Sequence, residues 1–356
     1  MAADPHHGRL PPPGVRRRLP VPGPGGGPAA ASRPPAGPAL SGGALRPDDL
    51  HRAGHGAGRD RAGVRQGVAV RFAIQTPPEH TDLATLADVW TAADELGLWG
   101  AFTFDHLVPL NDLRPGMPPP ASVPPGPQLE GWTTLAALAC RTRSLQVGTL
   151  ATGVTYRHPA VLAKMAVTLD HVTGGRAILG VGAAWHEVEH RMYGIPFPPV
   201  GERMGRLEEL LKCFRLLCTQ EVTDFEGRYL RLREAVFEPK PVRAEGIPVL
   251  VGGGGRRLKR IAARHADIYN GFAPPWEWRA VNDELDGAVR AAGREPGDLV
   301  RSVLTFVELS GDREREERVV RHVQRTRGGT EEEVRRRLLV GPPEDMIAVA
   351  RSYEEA

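Results

Sequence analysis

From Val68 to about Leu309 the chain repeats one pattern, a short apolar run of strand length followed by a longer stretch with apolar residues at helical spacing. VAVRFAIQT precedes TDLATLADVWTAADELG, and Trp99 to Phe104 precedes a Pro-rich loop and the helical GWTTLAALACRTR. SLQVGTL precedes a helix opening at Pro159, a residue suited to a first helical turn. The rhythm continues through Arg176 to Gly182 with a helix over Glu202 to Leu217, Pro248 to Gly252 with Arg256 to His265, and Ala266 to Phe272 with Trp276 to Ala292. It ends at a seventh strand, Val300 to Leu309. Strands alternating with helices in this way imply an α/β fold with a parallel sheet and helices outside, and seven repeats in series favour a TIM (β/α)8-type barrel over an open sheet. Two further helical runs, Asp312 to Arg327 and Pro343 to Ala356, follow without an eighth strand at the C-terminus. Strands seven and one are therefore expected to present open edges.

Ahead of the first repeat, residues 1–67 are crowded with Pro, Gly, Ala and Arg, as in PPPGVRRRLPVPGPGGGP, and hold few aromatic or β-branched side chains. Such a segment buries too little apolar surface to offset the entropy of ordering it, so a disordered extension is expected, with residues 68–356 forming the barrel domain. Lys plus Arg total 46 against 43 Asp plus Glu, a formal charge of +3, which disfavours nucleic acid as the main partner. Cys140, Cys213 and Cys218 lie in helix-like stretches without metal or redox spacing and are expected to be buried small apolar groups, as suits a reducing cytoplasm. No run of about 18 apolar residues occurs, so neither membrane insertion nor export is expected.

In barrels of this type the reactive residues sit where strands end. The strand ends here offer Gln75 and Thr76, Asp105 and His106, Thr149 to Thr152, Gly182 to Trp185, Gly252 to Gly255, and Asn270 to Phe272. VLVGGGGRR is the most informative: Gly252, Gly253, Gly254 and Gly255 stand between an apolar strand and a helix whose first turn carries Arg256 and Arg257. Bare backbone amides at a positive helix end bind phosphate, and glycine lets the anion approach. The GxGxxG dinucleotide fingerprint is absent. Asp105-His106 puts an imidazole at the barrel mouth, where it can exchange a proton with a bound ring, although a solvated loop pair fits its position equally well. The insertion after the fourth strand holds Trp185, His186, Glu187, Glu189, His190 and Tyr193; its HEVEH lacks the HExxH order, so an ordinary surface helix and no metal are expected.

With these residues in place, Val70 to about Leu309 resembles the luciferase-like flavin and deazaflavin oxidoreductases. The resemblance rests on RFAIQTPPEHTD, FTFDHLVPL, LEGWTTLAALA, YRHPAVLAKMAVTLDHVTGGR with GVGAAW, FEPKPV and PVLVGGGG. It looks nearest to the coenzyme F420-dependent branch, in which DH after the second strand is typical. The resemblance implies that His106 and Asp105 lie beside the deazaflavin ring, and that Thr149, Leu150 and Ala151 support the ring, with a non-prolyl cis peptide at Thr149-Leu150 or one bond later. It also implies that Gly182 and Trp185 border the cofactor tail and substrate opening, and that Gly252 to Gly255, with Arg256, hold the phosphate. The implied reaction is hydride transfer between F420 and a small organic substrate, with a proton from His106 or a nearby carboxylate such as Glu130. A 5-deazaflavin carries carbon where a flavin has nitrogen and does not activate oxygen; with reduced FMN the same barrel would be a monooxygenase. A truncated, non-catalytic barrel that binds through an open edge is the alternative from another class. Relatives commonly pair, so a homodimer is expected, and the substrate loops are Asn111 to Gln128 and Ala183 to Val200.

Overall fold

The computed structural model describes residues 70–110 and 126–356. The extension expected over residues 1–67, and most of the expected substrate loop after Leu110, lie outside the described residues. Seven parallel strands form one curled sheet, β1 (Ala73–Gln75), β2 (Gly100–Asp105), β3 (Gln146–Gly153), β4 (Ala177–Gly182), β7 (Val249–Gly252), β8 (Ile268–Gly271) and β9 (Val300–Val303), paired in that order. Between β4 and β7 the chain makes a separate antiparallel hairpin of β5 (Val222–Glu226) and β6 (Arg231–Val236). The sheet ends at β1 and β9; beyond β9 a single parallel bridge joins Val307 to Leu339.

The helices cover the outer face. They are α1 (Leu83–Glu95), α2 (Gly131–Ala139), α3 (Pro159–Thr173), the short α4 (Glu187–Met192), α5 (Val200–Thr219), α6 (Arg256–His265) and α7 (Pro275–Ala291). After β9 come α8 (Arg313–Arg327), α9 (Glu331–Arg335) and α10 (Pro343–Glu355). Their ends follow from local chemistry. The Asp82 carboxylate accepts from the Thr85 amide at 2.8 Å to start α1. Pro159 occupies the first turn of α3, and Gly174, at φ 64°, ends it in the left-handed conformation that costs other residues.

Alternation along each strand separates two cores. Ala101, Val147, Leu179, Val181, Val249 and Val251 point out and pack under the helices with Trp90, Leu135, Leu207 and Phe214. Phe102, Ile178, Leu250 and Ile268 point in and form the barrel floor, with Trp99, Leu150 and Val300 beside them. Each such side chain, fully buried, contributes roughly 1.5–3 kcal/mol. A third, smaller cluster of Val319, Val320, Val323, Val334, Leu338 and Val340 holds α8 to α9.

One step nearer the C-terminal ends of the strands, the inward positions are Gly180, Gly182 and Gly252. At Gly180 a Cβ would lie 1.7 Å from the Thr149 carbonyl oxygen, so only glycine allows the close approach of β3 and β4. The floor is thus apolar and filled, while the mouth is lined by backbone. Of the cysteines, Cys213 is buried as expected but Cys140, which caps α2, is exposed.

Candidate active site

Asp105 and His106 are neighbours in sequence and belong to different networks. Alternation turns the last residue of β2 outward, so Asp105, 0% exposed, faces the helix layer. There Arg157 binds it with both guanidinium nitrogens and bridges to Glu130. Burial pulls the Arg157 pKa down, but the hydrogen bond and charge of Asp105 and the charge of Glu130 outweigh it and raise it above the usual value, while burial raises the Asp105 carboxyl despite the Arg157 guanidinium against it. Glu130 is also the N-cap of α2, accepting from the Trp132 amide at 3.2 Å and the Thr133 amide at 2.7 Å. Burial pushes its carboxyl up, yet these amides and Arg157 hold it below the usual carboxylate range. Glu130 is therefore a poor proton source, and Asp105 has no open side toward the mouth. Strand parity sends Asp105 behind β2, and Glu130 meets it there through Arg157 as the cap of α2.

His106 turns into the mouth. Its Nδ1 lies 2.6 Å from Oε1 of Glu189, a carboxylate with 0% exposure, whose Oε2 accepts from the Leu107 amide at 2.9 Å. The Tyr156 hydroxyl donates to the same Oε1. Burial raises the Glu189 pKa, but the hydrogen bonds from His106 and Tyr156, with His186 Nδ1 3.7 Å away, hold it far below the ordinary 4.5. Desolvation, followed by the hydrogen bond and charge of Glu189, drives Tyr156 well above its usual range, so it stays a neutral donor. A carboxylate on Nδ1 assigns the proton to that nitrogen and leaves Nε2 as the acceptor. Edge-on rings of Phe104, Trp185 and His186 surround the imidazole with centroids at 5.3, 5.6 and 5.9 Å.

The insertion that carries Glu189 folds as α4 and is not the ordinary surface helix expected from HEVEH, because Glu189 and His190 are its two buried residues. His190 does not share a site with His186. Its Nε2 meets Thr155 Oγ1 at 2.6 Å, its Nδ1 meets the His186 carbonyl at 2.7 Å, and its ring stacks on Tyr156 at 4.9 Å. His106, His186 and Glu189 instead bring possible ligand atoms within 4.8 Å of one another. Both Glu189 oxygens are already engaged by hydrogen bonds.

Below this dyad lies the glycine-lined interior. The β3 ladder shifts register between Gly148 and Thr152, and a non-prolyl cis peptide falls at Leu150-Ala151. Leu150 packs on the floor, and Ala151 Cβ stands 3.6 Å from where a Cβ on Gly252 would sit. Thr149 points the other way, its hydroxyl donating to the Gly180 carbonyl at 2.9 Å. Nothing lies within 4 Å of a Cβ built on Gly254 or Gly255, so the loop before α6 is open above its amides. Arg256 leans away from that loop toward Glu284 of α7 at 3.9 Å, with 90% of its side chain exposed. Trp185, 64% exposed, stacks on His186 at the rim, after Ala184 at φ 60°. Asn270, buried at the end of β8, donates to Ser302 Oγ at 2.9 Å, while its own Oδ1 has no partner. An orphaned acceptor beside an open glycine loop fits a ligand with polar groups. The sequence named Asn270 as a strand end; it gave no sign of Tyr156 or Arg157, whose partners are distant in the chain.

A seven-stranded parallel half-barrel with an imidazole-carboxylate pair at its C-terminal mouth is an enzyme scaffold, and comparison with known proteins specifies it. The luciferase-like monooxygenase family matches residues 64–356, and the chain belongs to that family of oxidoreductases. An F420-dependent glucose-6-phosphate dehydrogenase of Nakamurella multipartita is 32% identical over 250 residues, 69% of this chain and 70% of that protein. Among solved structures, an F420-dependent secondary alcohol dehydrogenase in complex with an F420-acetone adduct superposes with a TM-score of 0.69 at 18% identity, covering 81% of this chain and 91% of that one. A monooxygenase from Streptomyces bottropensis superposes with a TM-score of 0.63 at 22% identity, over 80% and 89% of the two chains. At those identities the two structures speak for the fold. Among the described residues no helix is long and apolar enough to cross a membrane.

Proposed function

We propose that the protein is an F420-dependent oxidoreductase that exchanges hydride between the deazaflavin and a small organic substrate carrying an anionic group. The observation that carries this reading is His106, anchored through Nδ1 on a buried carboxylate with Nε2 left at a mouth that glycines keep empty. When bound, the deazaflavin supplies a carbon centre for two-electron transfer without activation of oxygen. Leu150, Ala151, Gly182 and Gly252 would lie against the ring, the amides of Gly253 to Gly255 at the start of α6 would hold the phosphate, and Asn270 Oδ1 offers one acceptor.

His106 Nε2 takes the proton from a substrate hydroxyl during oxidation and returns it during reduction. Glu189 remains ionised throughout and stabilises the imidazolium that forms, as the carboxylate of a catalytic triad does. Tyr156 fixes Glu189, and His190 fixes Tyr156. With Glu189 fully engaged, the reading needs no metal. Asp105 and Glu130 act by positioning the end of β2 and the start of α2.

An anionic substrate follows from the end of β8. Arg327 lies over Phe272 at 4.7 Å, and Arg336 and Arg337 lie over Trp276 at 5.2 and 5.6 Å. No ion pair joins these three arginines to a carboxylate among the described residues, and Arg337 Nε is buried without a partner. Similarity to the glucose-6-phosphate dehydrogenase of Nakamurella multipartita supports the same chemistry. Three cysteines without disulfides support a reducing, cytoplasmic setting, and the exposed Val70, Phe72 and Val89 near β1 support a homodimer.

The test is turnover of F420 by the purified chain with sugar phosphates and, separately, with neutral secondary alcohols. The reading requires reduction of F420 with at least one anionic alcohol. FMN-dependent oxygen consumption without F420 turnover would move the chain to the monooxygenases, and binding of neither cofactor would favour the non-catalytic barrel.

A further inference from the structure

His186 stands immediately before α4, and the proposed chemistry makes no use of it. Its Nδ1 is buried without a hydrogen-bond partner among the described residues, and a buried polar atom left unpaired calls for an explanation. That nitrogen lies 3.7 Å from Glu189 Oε1, the same oxygen that His106 Nδ1 meets at 2.6 Å. Taking one ligand atom from each, His106, His186 and Glu189 converge within 4.8 Å of one another. His190 is no part of the group, because both its ring nitrogens are engaged elsewhere.

Two imidazoles and a carboxylate are a donor set for zinc, which binds such atoms at about 2.0–2.2 Å, so that the ligands of a tetrahedral site stand about 3.4 Å apart. The pairs at 2.6 and 3.7 Å bracket that separation, and modest turns of the two rings seat an ion between them. Glu189 can accept it without losing its other partners. Its Oε1 has two lone pairs, so the ion replaces the His106 proton at one while the Tyr156 hydroxyl keeps the other, and Oε2 stays on the Leu107 amide. Magnesium, which prefers oxygen ligands and water, does not suit two imidazoles. We propose that His106, His186 and Glu189 form an inhibitory zinc site, with water as the fourth ligand. The inhibition rests on the reading of His106 as the base. An ion on Nδ1 obliges the neutral imidazole to carry its proton on Nε2, by exchange through solvent. The atom that takes the substrate's proton then has no lone pair left to take it. Zinc and turnover compete for one imidazole, and the metal is a brake rather than a cofactor.

The experiment titrates the full chain, free of organic cofactor, with cobalt as a spectroscopic stand-in for zinc. The intense visible bands of tetrahedral cobalt should appear, and zinc but not magnesium should displace them. Proton–nitrogen correlation spectra of the imidazoles should show the His106 proton move from Nδ1 to Nε2 when zinc is added. His186→Asn, checked for folding by circular dichroism, should weaken zinc binding at least tenfold, since losing even a group that only orients a ligand costs about 10–100-fold. His171→Asn, on the exposed face of α3 where the ring meets the Lys240 carbonyl, should leave it unchanged. In F420 turnover, zinc should inhibit the unaltered chain reversibly with a chelator, and His186→Asn should need at least tenfold more zinc for the same inhibition. Absent tetrahedral bands, unchanged zinc affinity in His186→Asn, or full turnover with the site occupied overturns the proposal. The cobalt and imidazole spectra need no F420, so a chain that shows them without turning over F420 keeps the metal site and overturns the cofactor reading together with its inhibition.

Discussion

Two acid-base networks meet at the end of β2, one residue apart, and their difference separates structure from chemistry. Asp105, Arg157 and Glu130 form a charged cluster behind the sheet in which every carboxylate is paired. His106, Glu189 and Tyr156 form a cluster at the mouth with the same economy of partners, except that one atom, Nε2 of His106, makes no hydrogen bond among the described residues. Burying a fully satisfied charge cluster fixes the geometry of the elements it joins, and here it ties β2, α2 and the loop before α3. A cluster left one bond short is poised to act on something else. The parity of a strand decides which neighbour gets which task.

If the comparison holds, the largest effect is on turnover. His106→Ala should lower kcat by about 10²–10⁴-fold while leaving deazaflavin affinity within about threefold, read by steady-state kinetics beside fluorescence titration. Asp105→Asn producing the same selective loss would break the comparison.

Next, Arg157→Met should cost about 3–5 kcal/mol of stability in urea denaturation by leaving Asp105 buried without its partner, with turnover per folded molecule retained. A stable Arg157→Met protein with no activity would reverse the two roles.

Glu189 sharpens the contrast through pH. Its carboxyl is held below the ordinary 4.5 in the folded protein, so its contribution is complete above about pH 4.5 and is lost as pH falls through the lowered folded value. Glu189→Gln should therefore remove about 1.5–3 kcal/mol at neutral pH and flatten the acid limb of stability against pH. An acid limb identical to that of the unaltered protein would place the lability elsewhere.

The smallest effect belongs to Glu130→Gln, about 1 kcal/mol from a weakened cap on α2, with kcat unchanged. A loss of kcat comparable to that of His106→Ala would restore Glu130 as a proton source.

Much of the fold was legible because it depends on local periodicity. The seven inner strands, the helices between them and the glycine turn before α6 all follow from spacing and composition in short windows. The first strand is three residues rather than the longer run VAVRFAIQT. The candidate site was legible only at strand ends. His106 stands out as the residue after an apolar strand, but its partner Glu189 lies 83 residues away in an insertion whose charges look like those of a solvated helix. The outward turn of Asp105 depends on whether Phe102 or Ala101 faces the barrel interior, and both are apolar. Arg256 reads as a phosphate ligand from its place after four glycines, whereas Glu284 on the next helix draws it outward. The convergence of Arg327 and Arg337 on Phe272 and Trp276 joins segments on either side of β9 and has no local signature.

The central claim is that the glycine-lined mouth beneath His106 is a deazaflavin seat. Titration of the full chain with F420 and, separately, with FMN, followed by ring fluorescence, tests it most directly. The account predicts saturable quenching by F420 at one class of site, weakened at least tenfold by Gly252→Val, whose added side chain would meet Ala151 and Leu150. Preferential binding of FMN, or F420 affinity unchanged in Gly252→Val, would contradict it.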